Sequence, residues 1–161
     1  MIPLIRLLAI ILVCFVMVAC AASTRNASAD NCPLTEPIWE KPPADAAVQD
    51  APAYGYYFVN EDRSIWASAV WVGKDDAPLR VSDEGIKVGW FRPAGAAMEI
   101  TGRRLDAEAP ALESDIPCCY PTRFQATGIY FPTEGCWEVN AKAEDKELSF
   151  VVWVAPPITS P

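Results

Sequence analysis

The chain has 161 residues, no histidine, a formal net charge of −8 and a pI near 4.5. This acidity argues against nucleic acid or an anionic membrane surface as an electrostatic partner. The lack of imidazole removes the commonest general base, the usual activator of a catalytic serine or cysteine, and the commonest metal ligand. No pair of carboxylates stands out for glycosidase-type chemistry. We therefore expect a protein that is not an enzyme and that uses no cofactor and no metal.

Residues 1–19 are predicted to be a lipoprotein-type signal peptide. Residues 7–19 form an uninterrupted apolar run, which fits a signal-peptide core and is short for a transmembrane helix of about 20 residues. The run ends in the sequence MVACA at 17–21, which resembles a bacterial lipobox, although Met17 stands where leucine is usual. In such signals the cysteine, here Cys20, is lipidated and becomes the first mature residue. Ordinary cleavage after Ala21, which would give a secreted protein, is the second choice.

Residues 20–52 are predicted to be a tether followed by an arm rich in proline. The tether, up to Asp30, is small and polar, as is typical of a spacer after an anchor. Four prolines, at 37, 42, 43 and 52, argue against a continuous helix or strand in the arm. Ile38 and Trp39 are apolar enough to dock on the domain that follows.

Residues 53–155 are predicted to form one all-β domain, and 156–161 a tail. Alternating or doubly apolar segments predict strands at 56–59, 64–72, 86–91, 97–102, 137–141 and 148–154, with a short edge strand at 79–81. The last two strands form a hairpin around Glu144-Asp145. This pattern favours an antiparallel immunoglobulin-like β-sandwich, and a small barrel is the second choice.

Five tryptophans fall in the predicted strands: Trp66, Trp71, Trp90, Trp137 and Trp153. Core packing is the expected role of each, because tryptophan buries a large apolar area. The doubly apolar strands leave room for one or two of them on an outer face. An exposed aromatic row would suit sugar stacking or a protein interface.

Residues 105–123 are predicted to be a long, irregular surface loop with several prolines and acidic residues. Loops of this length are uncommon unless they are functional or pinned. A weak ligand-binding site is predicted from Arg92, Arg104, Tyr120 and Arg123, near strand ends and in this loop, because arginine suits anions and carboxylates. Local ion pairs with acidic neighbours such as Asp106 are the preferred interpretation of the arginines.

The mature chain also resembles a group of uncharacterised bacterial secreted proteins and lipoproteins. The resemblance rests on the segments CPLT at 32–35, KVGWFR at 87–92, ITGRRLD at 100–106 and FQATGIYFPTEGCWEV at 124–139, together with LSFV at 148–151. It implies a secreted β-sandwich with no assigned activity. In proteins of this kind one cysteine lies near the mature start and one in the GCWEV strand. The pair Cys118-Cys119 is a departure from that pattern.

The cysteines of an exported chain predict disulfides. After removal of the signal peptide and use of Cys20, four remain: Cys32, Cys118, Cys119 and Cys136. The preferred scheme pairs Cys32 with Cys136, tying the arm to the sandwich, and Cys118 with Cys119. In the other scheme Cys32 and Cys136 each hold one of the two loop cysteines. A zinc site is not expected, because the spacing lacks paired metal-binding motifs.

The sequence therefore predicts a non-enzymatic lipoprotein of the bacterial cell envelope, acting as an interaction or accessory module. Its expected partners are the membrane, through the lipid anchor, and an envelope protein or glycan. The alternative is a glycan-binding or small-ligand-binding module that uses exposed aromatic residues and the loop at 105–123.

Overall fold

The computed structural model describes residues 28–46, 53–73, 78–118 and 120–158. The predicted signal peptide, the lipidation site Cys20 and the loop residue Cys119 lie outside these ranges. Within them, no helix is long and apolar enough to cross a membrane. The regular structure of the described residues consists of β-strands and two short 3₁₀ turns.

The described part of the chain contains nine strands. In chain order they are β1 (Ile38–Glu40), β2 (Gly55–Val59), β3 (Trp66–Ser68), β4 (Ile86–Phe91), β5 (Met98–Arg104), β6 (Glu113–Asp115), β7 (Phe124–Tyr130), β8 (Gly135–Ala143) and β9 (Lys146–Val154). They form a six-stranded sheet in the order β1-β2-β3-β4-β7-β6 and a three-stranded sheet in the order β5-β8-β9. Every pair of neighbouring strands is antiparallel. The prediction of an all-β, antiparallel chain is confirmed, and the two sheets are consistent with a β-sandwich.

The main core lies between the two sheets. Phe58 of the larger sheet stacks on Phe150 of the smaller one, with ring centroids 4.2 Å apart. Trp90 and Trp137 are completely buried in the same core. Trp90 Nε1 donates a hydrogen bond to Thr127 Oγ1 at 2.9 Å, and Trp137 Nε1 donates to the carbonyl of Thr133 at 3.0 Å. Each indole therefore buries a large apolar area without leaving its donor unpaired.

A second, smaller cluster covers the outer face of the larger sheet. It consists of Tyr57, Trp66 and Phe91, with Val59 and Phe124 packed against it. The arm runs over this side of the molecule, because Asp45 in the arm pairs with Arg123 just before β7, at 3.0 Å. Pro42 of the arm is fully buried. The larger sheet is thus apolar on both faces, as the doubly apolar segment at 64–72 predicts.

Segments of the chain bridge the two sheets on both sides. On one side, Thr35 N–H donates to the carbonyl of Val151 in β9 at 3.0 Å, three residues before β1 joins β2. On the other side, Leu112 N–H donates to the carbonyl of Gly102 in β5 at 3.3 Å, directly before β6 joins β7. The sandwich is therefore partly closed, a feature it shares with the barrel that was the second choice.

Two strand predictions need correction: the edge strand at 79–81 is only an isolated bridge between Arg80 and Ala155, and the strand at 64–72 is shorter. Only Trp66–Ser68 of the predicted strand 64–72 is a strand, because the chain turns where Val72 N–H bonds the Ala69 carbonyl at 3.0 Å. Trp71 therefore lies in this turn. The structure adds three strands that the sequence did not predict: β1 in the arm, β6 in the loop at 105–123, and β7 directly after that loop. The final hairpin, with its turn at Glu144-Asp145, is confirmed.

One disulfide joins Cys32 in the arm to Cys136 in β8, with the two Cα atoms 5.5 Å apart. This confirms the first pairing of the preferred scheme and excludes the scheme in which both cysteines hold loop cysteines. Cys118 is also disulfide-bonded. Because Cys119 lies outside the described residues, the vicinal pairing stays a prediction.

Replacing both Cys32 and Cys136 by serine should lower the free energy of unfolding by about 3–5 kcal/mol, because the bond closes a long loop. The cysteines are 104 residues apart in sequence. Urea unfolding of the wild type and the double variant measures the difference. A loss below about 1 kcal/mol, well under the chain-entropy value, would contradict this account of the arm.

Candidate functional site

Arg92, one of the predicted ligand-binding residues, is buried at the end of β4, with 2% of its surface exposed. Its Nη1 donates to the carbonyls of Pro93 at 2.8 Å and Thr122 at 2.9 Å. Its Nη2 donates to the carbonyl of Tyr120 at 3.0 Å and to Gln125 Oε1 at 3.2 Å. The guanidinium group thus holds the last part of the predicted loop against the end of the sandwich.

The charge of Arg92 is balanced by dipoles rather than by a carboxylate. None of its contacts among the described residues is an ion pair, and burial lowers its pKa from the ordinary value. Gln125, itself buried, adds Nε2 bonds to the carbonyls of Pro117 at 3.0 Å and Ala126 at 2.9 Å. Arg92 and Gln125 therefore act together as a clamp on Pro117, Tyr120 and Thr122.

The structure brings Tyr120 and Arg123 to the same end of the molecule as Arg92. The Tyr120 ring packs edge-on against Phe124, with centroids 6.0 Å apart. Arg123 Nε donates to the Arg92 carbonyl at 3.2 Å, and its Nη1 pairs with Asp45. Arg123 thus links the clamp to the arm.

Arg104, the last residue of β5, lies at the opposite end of the molecule, where β7 ends. Its Nε pairs with Asp106 Oδ1 at 2.7 Å, and its Nη1 donates to Thr133 Oγ1 at 3.2 Å. It also packs against Gly135, where φ is +133° and an added Cβ would stand 2.4 Å from Arg104 Nε. The four predicted residues therefore do not form one site. Local pairing, the preferred interpretation of the arginines, accounts for Arg104, whereas Arg123 pairs with Asp45, which is distant in sequence.

The environment of Asp106 favours its charged form. Partial burial acts to raise the pKa of Asp106, but hydrogen bonds from the Arg104 guanidinium and the Cys136 backbone outweigh it, so the pKa is lowered overall. This ion pair stabilises the end of the molecule that carries the disulfide.

A different surface is the more open candidate, and we call it the Trp39 surface. It comprises the exposed side chains Trp39 (61% exposed), Tyr54 (65%) and Val70 (47%), with the half-buried Tyr56 between them. The Trp39 and Tyr56 rings meet edge-to-face at 4.9 Å between centroids. Together these residues line a shallow groove of about 260 Å³.

The unequal widths of the two sheets expose this surface. Trp39 pairs with Tyr56 in register, and Tyr54 precedes Tyr56 by two positions, so the three share one face of the larger sheet. Tyr56 packs against the main core on that face. The edge strand of the smaller sheet, β9, reaches only as far as β2, where Phe150 stacks on Phe58. β1 lies one strand further out, beyond the cover of the smaller sheet.

Two other grooves are less distinctive. One, of about 340 Å³, lies on the smaller sheet and mixes acidic and basic residues, including Glu99, Lys142 and Glu147. The other, of about 290 Å³, lies between the arm and β9 and includes Thr35 and Ser149. No cluster of possible metal ligands occurs among the residues that the structure describes.

The exposed tryptophan is therefore not one of the five in predicted strands. Trp66, Trp90 and Trp137 are buried, which confirms core packing for these three. The exposed one, Trp39, belongs to the arm, where the sequence analysis expected docking. The sequence signal for this exposure is the presence of charged residues around the pair Ile38-Trp39, namely Glu36, Glu40 and Lys41.

Comparisons with protein-family models, with curated proteins and with solved structures find no match to this chain. The resemblance to bacterial secreted proteins and lipoproteins thus stays a prediction.

Replacing Arg92 by methionine should lower the free energy of unfolding by about 2–4 kcal/mol, because the partly buried carbonyls of Pro93, Tyr120 and Thr122 each lose a guanidinium donor. The cut rate of a protease at residues 117–122 should rise with it. Arg103→Met is the matched control, since the Arg103 side chain is 71% exposed, and we expect it to change stability by less than about 1 kcal/mol. Equal effects of the two substitutions in urea unfolding would contradict the clamp.

Replacing Asp106 by asparagine should destabilise the protein at neutral pH by about 1 kcal/mol, through loss of a charge-assisted hydrogen bond. The folded-state pKa of Asp106 is lowered. The contribution of charged Asp106 to the stability of the fold is therefore fully present above the unfolded pKa of about 3.9. It is lost as the pH falls through the folded pKa. The gap between wild type and variant in urea unfolding should close on acidification. A gap that does not narrow as the pH falls below the unfolded pKa would be the contrary result.

Proposed function

We propose that this protein is a non-enzymatic interaction module of the bacterial cell envelope, held by a lipid on Cys20. In this proposal the Trp39 surface binds the partner. The observation that carries it is the exposure of Trp39, Tyr54 and Val70 side by side in a strongly acidic chain. Clustered apolar side chains of this kind mark interaction sites, whereas single exposed ones do not.

The compartment is supported by the cysteine chemistry. A disulfide between Cys32 and Cys136 suits an oxidising, extracytoplasmic environment. A lipid on Cys20 would leave a spacer of eleven residues, 21–31, before Cys32, so that Cys20 and Cys32 are at most about 40 Å apart when the spacer is fully extended. The domain would thus stay close to the membrane. Secretion without a lipid is the second choice.

The order of the strands supports an immunoglobulin-like topology as part of this proposal. Seven strands, β3-β4-β7-β6 facing β5-β8-β9, have the order of the A, B, E, D and C, F, G strands of a constant-type immunoglobulin domain. β1 and β2 then extend the first sheet beyond its A strand. The disulfide departs from that class, because it joins the arm to β8 rather than one sheet to the other.

A second candidate is a glycan-binding or small-ligand-binding module. It is favoured by the two exposed rings of Trp39 and Tyr54 around an uncharged groove. The part of this idea that used the loop at 105–123 has less support, since Arg92 and Arg123 are engaged in structural contacts.

The proposal can be tested in cells that express the full chain. The wild type should incorporate a labelled fatty acid and sediment with membranes, and Cys20→Ser should do neither. A photoreactive phenylalanine analogue placed at position 39 should cross-link a partner. The same analogue at Lys142 is the control, because that side chain is 54% exposed on the smaller sheet.

Two outcomes would count against the proposal. Lipid incorporation that persists in Cys20→Ser would remove the anchor from this position. Cross-linking that is equal at positions 39 and 142, or absent from both, would remove the Trp39 surface as the partner face.

A further inference from the structure

The four sheet edges of this fold differ in how far the chain itself covers them. The edge of β9 is bonded by Thr35 and, at Ala155, by residues 79–81. The edges of β5 and β6 face each other and are bridged by Leu112 N–H and by Ser114 Oγ, which donates to the Ile100 carbonyl at 3.2 Å. The outer edge of β1 receives no such bond from any described residue.

An uncovered edge strand presents unpaired N–H and C=O groups, to which an extended chain can add. We infer that an extended segment of a basic, partly apolar partner protein adds as a new strand to the outer edge of β1, next to Trp39, where no described residue forms a backbone bond. This inference rests on the proposed function, since it names the partner of the same surface. The new strand would lie beyond the cover of the smaller sheet, with one face toward the apolar groove.

The side chains of β1 specify the chemistry of that segment. Trp39 lies on the face of the groove, whereas Ile38 and Glu40 lie on the other, and the exposed Glu36 continues their alternation. Glu40 already pairs with Arg63, which shows that a guanidinium suits this outer face. A matching strand carries apolar side chains toward the groove and lysine or arginine on the opposite face.

Charge complementarity decides between a foreign partner and a second copy. The chain carries a net charge of −8, so two copies joined at β1 would bring like charges and two acidic faces together. A basic segment is attracted instead, and its association should weaken as salt increases.

The prolines on either side of β1 limit the length of the contact. Pro37 precedes the strand and Pro42 follows it closely, and neither can donate a backbone hydrogen bond. Only about four residues can pair, which favours an affinity in the micromolar range over a permanent complex. The same limit protects the edge against unrestricted aggregation.

The test uses the full chain in detergent and labelled octapeptides in which lysine alternates with valine. Binding is followed by fluorescence polarisation. Two further peptides carry N-methyl groups on alternate residues, one set on the lysines and one on the valines. A strand bonds its neighbour through one of these sets only, so one methylated peptide should lose binding and the other should keep it.

Variants and salt complete the design. Trp39→Ala should weaken binding about ten-fold, as a central aromatic contact does. Ile158→Ser is the control, because Ile158 is 77% exposed outside β1. Raising the salt from about 50 to about 500 mM should weaken binding further, and a peptide that alternates glutamate with valine should bind much more weakly.

Several results would overturn strand addition. They are the absence of binding, equal binding of both methylated peptides, equal binding of the glutamate peptide, dimerisation of the chain that Trp39→Ala abolishes, and occupation of the Trp39 groove by an oligosaccharide in place of the peptide. Each leaves the photo-cross-link at position 39 as a separate result. A cross-linked protein without peptide binding overturns only the strand, whereas loss of the cross-link removes the proposed function itself.

Discussion

The bridging of the two sheets by the N-terminal arm is the interaction on which the open side of this fold depends. Thr35 bonds to β9, and a few residues later β1 pairs with β2, so one short segment belongs to both sheets. Without it, β9 and β2 would both present free edges, which invite association with other chains. The arm is therefore part of the domain, although its prolines and acidic residues suggest a linker.

A buried cation, the guanidinium group of Arg92, determines the structure at the end of the molecule where β4 ends. A guanidinium group without a carboxylate partner is costly to bury, unless dipoles surround it. The carbonyls around Arg92 and the amide of Gln125 provide these dipoles, and they fix the loop in return. Arg92, which was predicted to bind a ligand, therefore has a structural role: it needs the loop carbonyls as partners, and it fixes the loop.

Sequence patterns predicted the parts of the fold whose side chains alternate plainly. In β8 and β9, Trp137, Val139, Phe150 and Val152 mark the buried face without ambiguity. β7 was missed because its buried face carries Gln125 and Thr127, which are polar. Their partners are the Trp90 indole in β4 and Arg92 directly after β4, and they are not evident from the sequence of β7. The Trp39 surface was missed for a similar reason, since its exposure depends on how far the smaller sheet reaches.

The position of the disulfide has a mechanical consequence. In a chain held by its N-terminus at a membrane, any pulling force enters the domain at Cys32 and passes through the bond to Cys136. Cys136 lies in β8, which is hydrogen-bonded along both sides by β5 and β9. The load therefore falls on the central strand of the smaller sheet, and the short β1 ladder bears little of it. A partner strand added to β1 would stay attached while the tether is under tension.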